Sequence, residues 1–351
     1  GDRDGDEDGA AGTTAAEDLS GSDDASGVGG AGAEVGTGGG GSVVASAGAG
    51  KDGVSTASGW ENLASLVRNG ISGGWLVEPT EVVEGDVLGS GCSGVTMAGK
   101  WRGQLVAVKK VNVSGASRAA SFVREVQVLS RLRHPHVLPF YGACLQPPGR
   151  CWILTHLCRG GNLKEWLHAG PTPPLARRLT AAWEVARGMR YLEEATPTVM
   201  HRDLKPSNVF LTSRGPHARA LVADFGLARW LPHSDEVLTG ETGTYLYMAP
   251  EVIRHDPHYT GLADSYSFGV MLNELVSAAV PYAHDYLTPL QVAFAVADGS
   301  LRPAVACAGK FPGLAAVVVS CFHHSPGERP TFGRIVDSLD AMLPEILAAG
   351  G

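Results

Sequence analysis

At 351 residues the chain has room for a two-lobed catalytic domain and an appendage. Its net charge of −8 sits almost wholly in residues 1–59, where eleven acids meet two bases, and the remaining 26 bases are balanced by 25 acids. No basic stripe points to a nucleic-acid partner, and no apolar run approaches the roughly 20 residues that would span a bilayer.

Six cysteines (Cys92, Cys144, Cys151, Cys158, Cys307, Cys321) lie far apart, without a CxxC or zinc-like spacing. They predict reduced thiols in a cytosolic-type compartment. The sequence has no signal peptide and begins with Gly rather than Met. It is therefore expected to be a fragment, either cytoplasmic or the cytoplasmic part of a larger chain.

Residues 1–59 are Gly, Ala, Ser and Asp with few large apolar side chains, so they predict a disordered acidic tail. Over 60–81 a short helical extension is expected: Trp60, Leu63, Leu66 and Val67 have helical spacing, and Gly70 ends it. From Val82 the pattern changes to strands at 82–88, 95–98 and 105–111, with a hairpin at 99–103. Between the first two lies Gly89-Ser90-Gly91-Cys92-Ser93-Gly94. Such a G-x-G-x-x-G pattern says little alone, since with 47 glycines about one is expected by chance. Three decoys occur in the tail, at Gly27, Gly36 and Gly48, and only the fourth sits between strands. A P-loop-like Gly94 to Gly99-Lys100 ends in Trp101 where a metal-binding hydroxyl is needed, and is rejected.

Alternation along the third strand puts Ala107 and Lys109 on one face and Val106 and Val108 on the other. A helix at 117–133 carries the stripe Phe122, Val126, Leu129, Leu132, with Glu125 partly on it. A carboxylate there needs a partner, because an unpaired buried charge is costly. Strands at 137–144 and 151–155 flank a Pro-Pro-Gly turn, and the pattern breaks at His156–Gly161. Leu175, Leu179, Ala182, Ala186 and Met189 then mark an amphipathic helix.

The stretch His201-Arg202-Asp203-Leu204-Lys205-Pro206-Ser207-Asn208 concentrates an acid, an ammonium and a carboxamide in one loop. A hydroxyl attacking a phosphate needs an acceptor for its proton, which Asp203 offers. Lys205 supplies a cation for the moving charge, and Asn208 an oxygen for a metal. Short strands at 209–211 and 221–223 should hold Asp224 near Asn208. A very apolar helix opens at Asp264, and two further helices are expected at 314–321 and 332–346.

Taken together, these motifs, with Asp224-Phe225-Gly226 and Ala249-Pro250-Glu251, resemble the catalytic core of the protein kinases over roughly residues 82–345. The resemblance implies an α+β bilobal fold over 82–346, with a small antiparallel-sheet N-lobe (82–157) carrying one key helix and a larger helical C-lobe (158–346). It implies ATP and Mg2+ as cofactors. Asp203, Lys205, Asn208, Lys109 and Glu125 would be catalytic, with Lys109 and Glu125 paired, and Asn208 and Asp224 would hold the metal. The nucleotide would be covered by Leu88, Gly89, Ser90, Gly91, Cys92, Ser93, Gly94, Val95 and Thr96. It would lie among Ala107, Lys109, Thr155, His156, Leu157, Cys158, Phe210 and Asp224.

Lys205, and Gly243-Thr244 before Tyr247-Met248-Ala249-Pro250-Glu251, favour Ser/Thr acceptors on protein substrates. Trp101-Arg102-Gly103, with Asp264-Ser265-Tyr266-Ser267-Phe268-Gly269, resembles the tyrosine-kinase-like group that includes Raf-like and mixed-lineage kinases. Thr96 and Ser93 depart from the usual valine and aromatic of the loop and should loosen nucleotide cover. A scaffold without catalysis would lack one of Lys109, Glu125, Asp203, Asn208 or Asp224, and none is missing. The family also implies control by an upstream activating kinase or autophosphorylation. Ser234, Thr239 and Thr242 are the candidate hydroxyls, and Arg202, with no partner evident in the sequence, would clamp the phosphate.

Overall fold

The computed structural model describes residues 56–91, 94–113, 116–146, 150–230 and 244–349. Residues 1–55 of the expected acidic tail, Cys92, Ser93, and the hydroxyls of Ser234, Thr239, Thr242 and Thr244 fall outside the described residues or side chains, while 56–59 of that tail are helical.

The fold is bilobal, with a small antiparallel sheet and one helix above a larger helical lobe. A first helix, α1 (Thr56–Ser72), leads into β1 (Val82–Gly91), β2 (Gly94–Trp101) and β3 (Gln104–Val111). Helix α2 (Ala116–Leu129) follows, then β4 (Phe140–Gln146) and β5 (Arg150–His156), and the sheet order is β1-β2-β3-β5-β4. The β2–β3 connection is tighter than the sequence suggested. Only Arg102 and Gly103 turn, both with positive φ (46° and 83°), which suits the twist of a two-residue hairpin.

Both faces of this sheet are used. Val106 and Val108 are fully buried on one face, in a small cluster with Val77, Val82, Cys144, Trp152 and Leu154. Ala107 lies opposite Ala98 and Thr155, and Lys109 opposite Thr96 and Ile153, so these residues share the other face. Helix α2 buries Phe122, Val126 and Leu129 in the main core, as its spacing predicted. It stops four residues short of Arg133. His134-Pro135 disfavours helical geometry before the proline, and the Arg133 guanidinium donates to the carbonyls of Leu129 and Leu132 at the helix end.

The lower lobe comprises α3 (Leu163–His168), α4 (Leu175–Glu194), β6 (Val199–Met200), β7 (Val209–Leu211), β8 (Ala220–Val222) and β9 (Arg229–Trp230), then α5 (Pro250–Ile253), α6 (Leu262–Ser277), α7 (Pro289–Asp298), α8 (Pro312–Cys321) and α9 (Phe332–Ala349). Helix α6 is its axis, with every residue from Ala263 to Leu275 buried. A helix apolar on all sides must be covered on all sides. Here α4 and α8 pack on it, and the buried Arg178 of α4 donates to its terminal carbonyls at Leu275 and Val276.

His136 joins the lobes: its carbonyl accepts from Val222 N at 2.9 Å, and its Nδ1 lies 3.4 Å from Ala220 O. Burial pushes its pKa down to about 4, with Arg187, Arg219 and His134 adding to the effect. The folded-state value lies below the ordinary one of about 6.5, so the unfolded chain takes up the proton first. Stability present above pH 6.5 is therefore lost progressively as pH falls toward 4. Thermal melts at pH 7 and pH 4.5 should show a larger drop for the wild type than for His136→Gln; equal drops would remove His136 as the sensor.

Candidate active site

Two short strands and the foot of α6 position the loop that carries Asp203. Asp264, buried at the start of α6, accepts the backbone N–H of His201 and of Arg202, each at 2.8 Å. These two bonds hold Arg202 at φ 70°, a left-handed conformation that a non-glycine residue adopts only when its surroundings demand it. The imidazole of His201 is fully buried, 2.9 Å from Ala223 O and 5.2 Å from the ring of Phe225. His201 thus packs against Phe225.

Within the loop, one oxygen of Asp203 (Oδ2) receives Lys205 Nζ and Asn208 Nδ2, both at 2.8 Å. Its other oxygen, Oδ1, is buried and finds no hydrogen-bond partner among the described residues. A buried acceptor is ordinarily paired, so Oδ1 is the Asp203 oxygen left to receive a further donor. The Asn208 amide nitrogen also donates to Asp203 O, which leaves Oδ1 as its acceptor atom.

Strands β7 and β8 pair through Val209–Val222, Phe210–Leu221 and Leu211–Ala220, and Ala223 N donates to Asn208 O at 2.9 Å. This fixes Asp224 two residues past the end of β8, with φ 61°. Lys109 Nζ lies 2.8 Å and 3.0 Å from the two Glu125 oxygens and 3.6 Å from Asp224 Oδ1. Burial opposes the Lys109 ammonium, yet Glu125 and Asp224 outweigh it and hold its pKa above the ordinary value. Burial pushes the Glu125 carboxyl up, with Lys109 opposing. The Lys109 ammonium holds the Asp224 carboxyl below its usual range. Helix α2 also reaches this point through Ser121, whose hydroxyl donates to Gly226 O at 3.2 Å.

Above these charges a cleft of about 650 Å³ opens between the lobes, within the range of small-molecule sites. Of the sequence-predicted residues, Leu88, Gly89, Thr96, Ala107, Lys109, Glu125, Thr155, His156, Leu157, Cys158, Phe210 and Asp224 line it. Ser90, Gly91, Gly94 and Val95 do not, and neither do Asp203, Lys205 and Asn208. Val95 pairs with Lys110, on the face opposite Thr96 and Lys109, so alternation turns it away from the cleft. Leu138, Ile153, Arg159, Gly161, Asn162, Glu165 and Ala223 also line it and were not foreseen. Asn162 and Glu165 did leave a local signal, an Asn three residues before a Glu, and the Asn162 side chain caps α3 at Glu165 N. The Cys158 thiol in the wall is pushed up to about 12 by burial, so it lies there as an apolar surface rather than a nucleophile.

The expected solitary cation is corrected: the Arg202 guanidinium lies 5.5 Å from the Tyr259 ring centroid, a neighbour 57 residues away that sequence spacing cannot reveal. Among the described residues no three His, Cys, Asp or Glu side chains form a metal cage. A magnesium ion held by one or two protein oxygens plus phosphates and waters needs none, and the oxygens of Asp224 and Asn208 fit that donor set.

A profile of the protein tyrosine and serine/threonine kinase family matches residues 82–339. Among curated relatives, serine/threonine-protein kinase STY17 of Arabidopsis thaliana is 34% identical over 275 residues, covering 78% of this chain and 46% of that protein. Serine/threonine/tyrosine-protein kinase HT1 of Arabidopsis thaliana is 36% identical over 274 residues, covering 76% and 67%. Human serine/threonine-protein kinase TNNI3K is 33% identical over 286 residues, covering 80% and 34%. The chain thus spans less than half the length of STY17 and of TNNI3K.

Proposed function

The chain belongs to the protein tyrosine and serine/threonine kinase family, and from that membership we propose that it transfers the γ-phosphate of ATP to Ser and Thr hydroxyls of protein substrates in a signalling cascade. The observation that carries this reading is the buried, partnerless Oδ1 of Asp203 beside an Oδ2 already held by Lys205 and Asn208. In this reading the acceptor hydroxyl donates its proton to Asp203 Oδ1 as its oxygen bonds to the γ-phosphorus. The bond from that phosphorus to the β-phosphate oxygen breaks, leaving ADP. Lys205 offsets charge on the moving phosphoryl group. Lys109, held by Glu125, orients the α- and β-phosphates, and Asp224 and Asn208 hold Mg2+. Held there, the metal would supply neutralisation of phosphate charge.

Adenine would lie against Ala107 and Phe210, with Thr155 behind it and backbone groups of residues 156–158 at its edge. Relatives named as serine/threonine kinases, and Lys205 within the loop, support Ser/Thr acceptors, and the Trp101-Arg102-Gly103 and Asp264-Ser265-Tyr266-Ser267-Phe268-Gly269 motifs support a place near the Raf-like and mixed-lineage kinases. Control by phosphorylation at Ser234, Thr239 or Thr242, by another kinase or by the chain itself, belongs to the same proposal. So does a cytoplasmic setting; among the described residues no helix is long and apolar enough to cross a membrane.

The test is incubation of the purified chain with radiolabelled ATP, Mg2+ and generic protein acceptors, followed by phosphoamino-acid analysis. Phosphoserine and phosphothreonine are expected. Phosphotyrosine in comparable amount would make the enzyme dual-specific, and no label on any acceptor or on the chain itself would leave a nucleotide-binding scaffold.

A further inference from the structure

The family match begins at residue 82, yet α1 and the segment after it are built into the upper lobe. Leu63 and Leu66, three residues apart and so on one side of α1, are buried in the same apolar cluster as Phe122, Val123 and Val126 of α2. Helix α1 packs alongside α2 and also meets β4. The chain then doubles back: Trp75 N and Leu76 N both donate to Gly70 O, at 3.1 and 3.2 Å.

From there the segment is fastened to β4. Ala143 N donates to Trp75 O at 3.0 Å, and Val77 N donates to Ala143 O at 2.9 Å. The Trp75 ring meets Phe140 edge-on, with centroids 5.8 Å apart. The approach is so close that a Cβ on Gly142 would lie 2.6 Å from Trp75 O. One end of this extension is therefore pinned to the sheet, and the other lies against the helix that carries Glu125.

That helix needs holding. Glu125 is buried, and its charged form is disfavoured there, so water offers it a competing position whenever α2 is free to move. Near this point the Ser121 hydroxyl of α2 donates to Gly226 O of the lower lobe at 3.2 Å.

We propose that residues 63–77 are a positioning element, a brace that keeps α2 against the sheet so that Glu125 stays on Lys109. This rests on the kinase reading of the site. No residue of the brace lines the cleft; it acts through Glu125.

A double-mutant cycle with hydrogen exchange tests it, using the full chain. Leu66→Ala should lower kcat by about two- to thirtyfold, the span of coupling through packed neighbours, and should speed amide exchange across 116–129. In a Glu125→Ala background the same change should cost nothing further, whereas a merely structural role gives additive losses. Leu66→Met should keep most of the activity. If Leu66→Ala does not fold, Val67→Ala at the edge of the contact takes its place with the same readouts. Unchanged exchange in 116–129, or additive kcat losses, overturns the brace. If the wild type transfers no phosphate, the kinase reading falls, while the exchange measurement still decides the brace.

Discussion

Asp203→Asn is expected to lower the rate of phosphoryl transfer by about 10²–10⁴-fold, the usual contribution of a positioned proton acceptor. The carboxamide keeps the shape of the side chain and can still receive Lys205, but the free Oδ1 loses its basicity or is replaced by a donor. A donor aimed at the acceptor hydroxyl disturbs its orientation as well. Nucleotide binding should survive, because the substitution leaves the Lys109–Glu125 pair and Asp224 of the cleft unchanged. Single-turnover transfer, read beside binding of a fluorescent ATP analogue, separates the two effects. A variant that binds nucleotide and transfers phosphate at the wild-type rate would remove Asp203 from the chemistry and, with it, the reading of Oδ1.

Much of this site could be read before the fold because its residues are tied to local periodicity. A period of two put Lys109 beside Ala107, and a period near 3.6 put Glu125 on the buried stripe of α2. The structure brings them to 2.8 Å. What failed were assignments that depend on which strand face meets which lobe. Val95 was grouped with Thr96 because they adjoin in sequence, and the register with Lys110 separates them. Leu138, Ile153 and Ala223 line the cleft because three separate elements converge there, and no spacing within one element carries that information.

The short helices were illegible for a different reason. Helices α3 and α5 have only six and four residues, too few for an apolar stripe to repeat. Helix α7 had a readable start in Thr288-Pro289-Leu290-Gln291, and the structure shows Thr288 and Gln291 bonding reciprocally as a capping box. Its face is weakly patterned, since Leu290 and Phe294 are exposed. Arg202 shows the same limit in electrostatics: its aromatic neighbour Tyr259 comes from a distant loop.

The pairing of Glu251 with Arg329, 78 residues apart in sequence, carries the largest expected effect on stability. Arg329 Nη1 and Nη2 donate to the two Glu251 oxygens at 2.6 and 2.7 Å, and both side chains are buried. Its remaining N–H groups go to the carbonyls of His323, Leu262 and His324, so the guanidinium is satisfied on every side. Glu251→Ala strands this cation, and breaking a buried pair in this way costs about 3–5 kcal/mol. That is a large part of a typical folding stability of about 5–15 kcal/mol.

Activity should fall with it, because α5 anchors the segment that runs past Asp203. In that segment Tyr247 O accepts from Ser267 and the Tyr247 hydroxyl donates to the buried Glu274. Replacing both partners by apolar residues, Glu251→Leu with Arg329→Met, leaves no charge behind and should recover much of the loss. Urea unfolding of the two single variants and the double separates these cases. Single variants within about 1 kcal/mol of the wild type, or a double variant no better than either single, would show that the pair does not hold the lower lobe together.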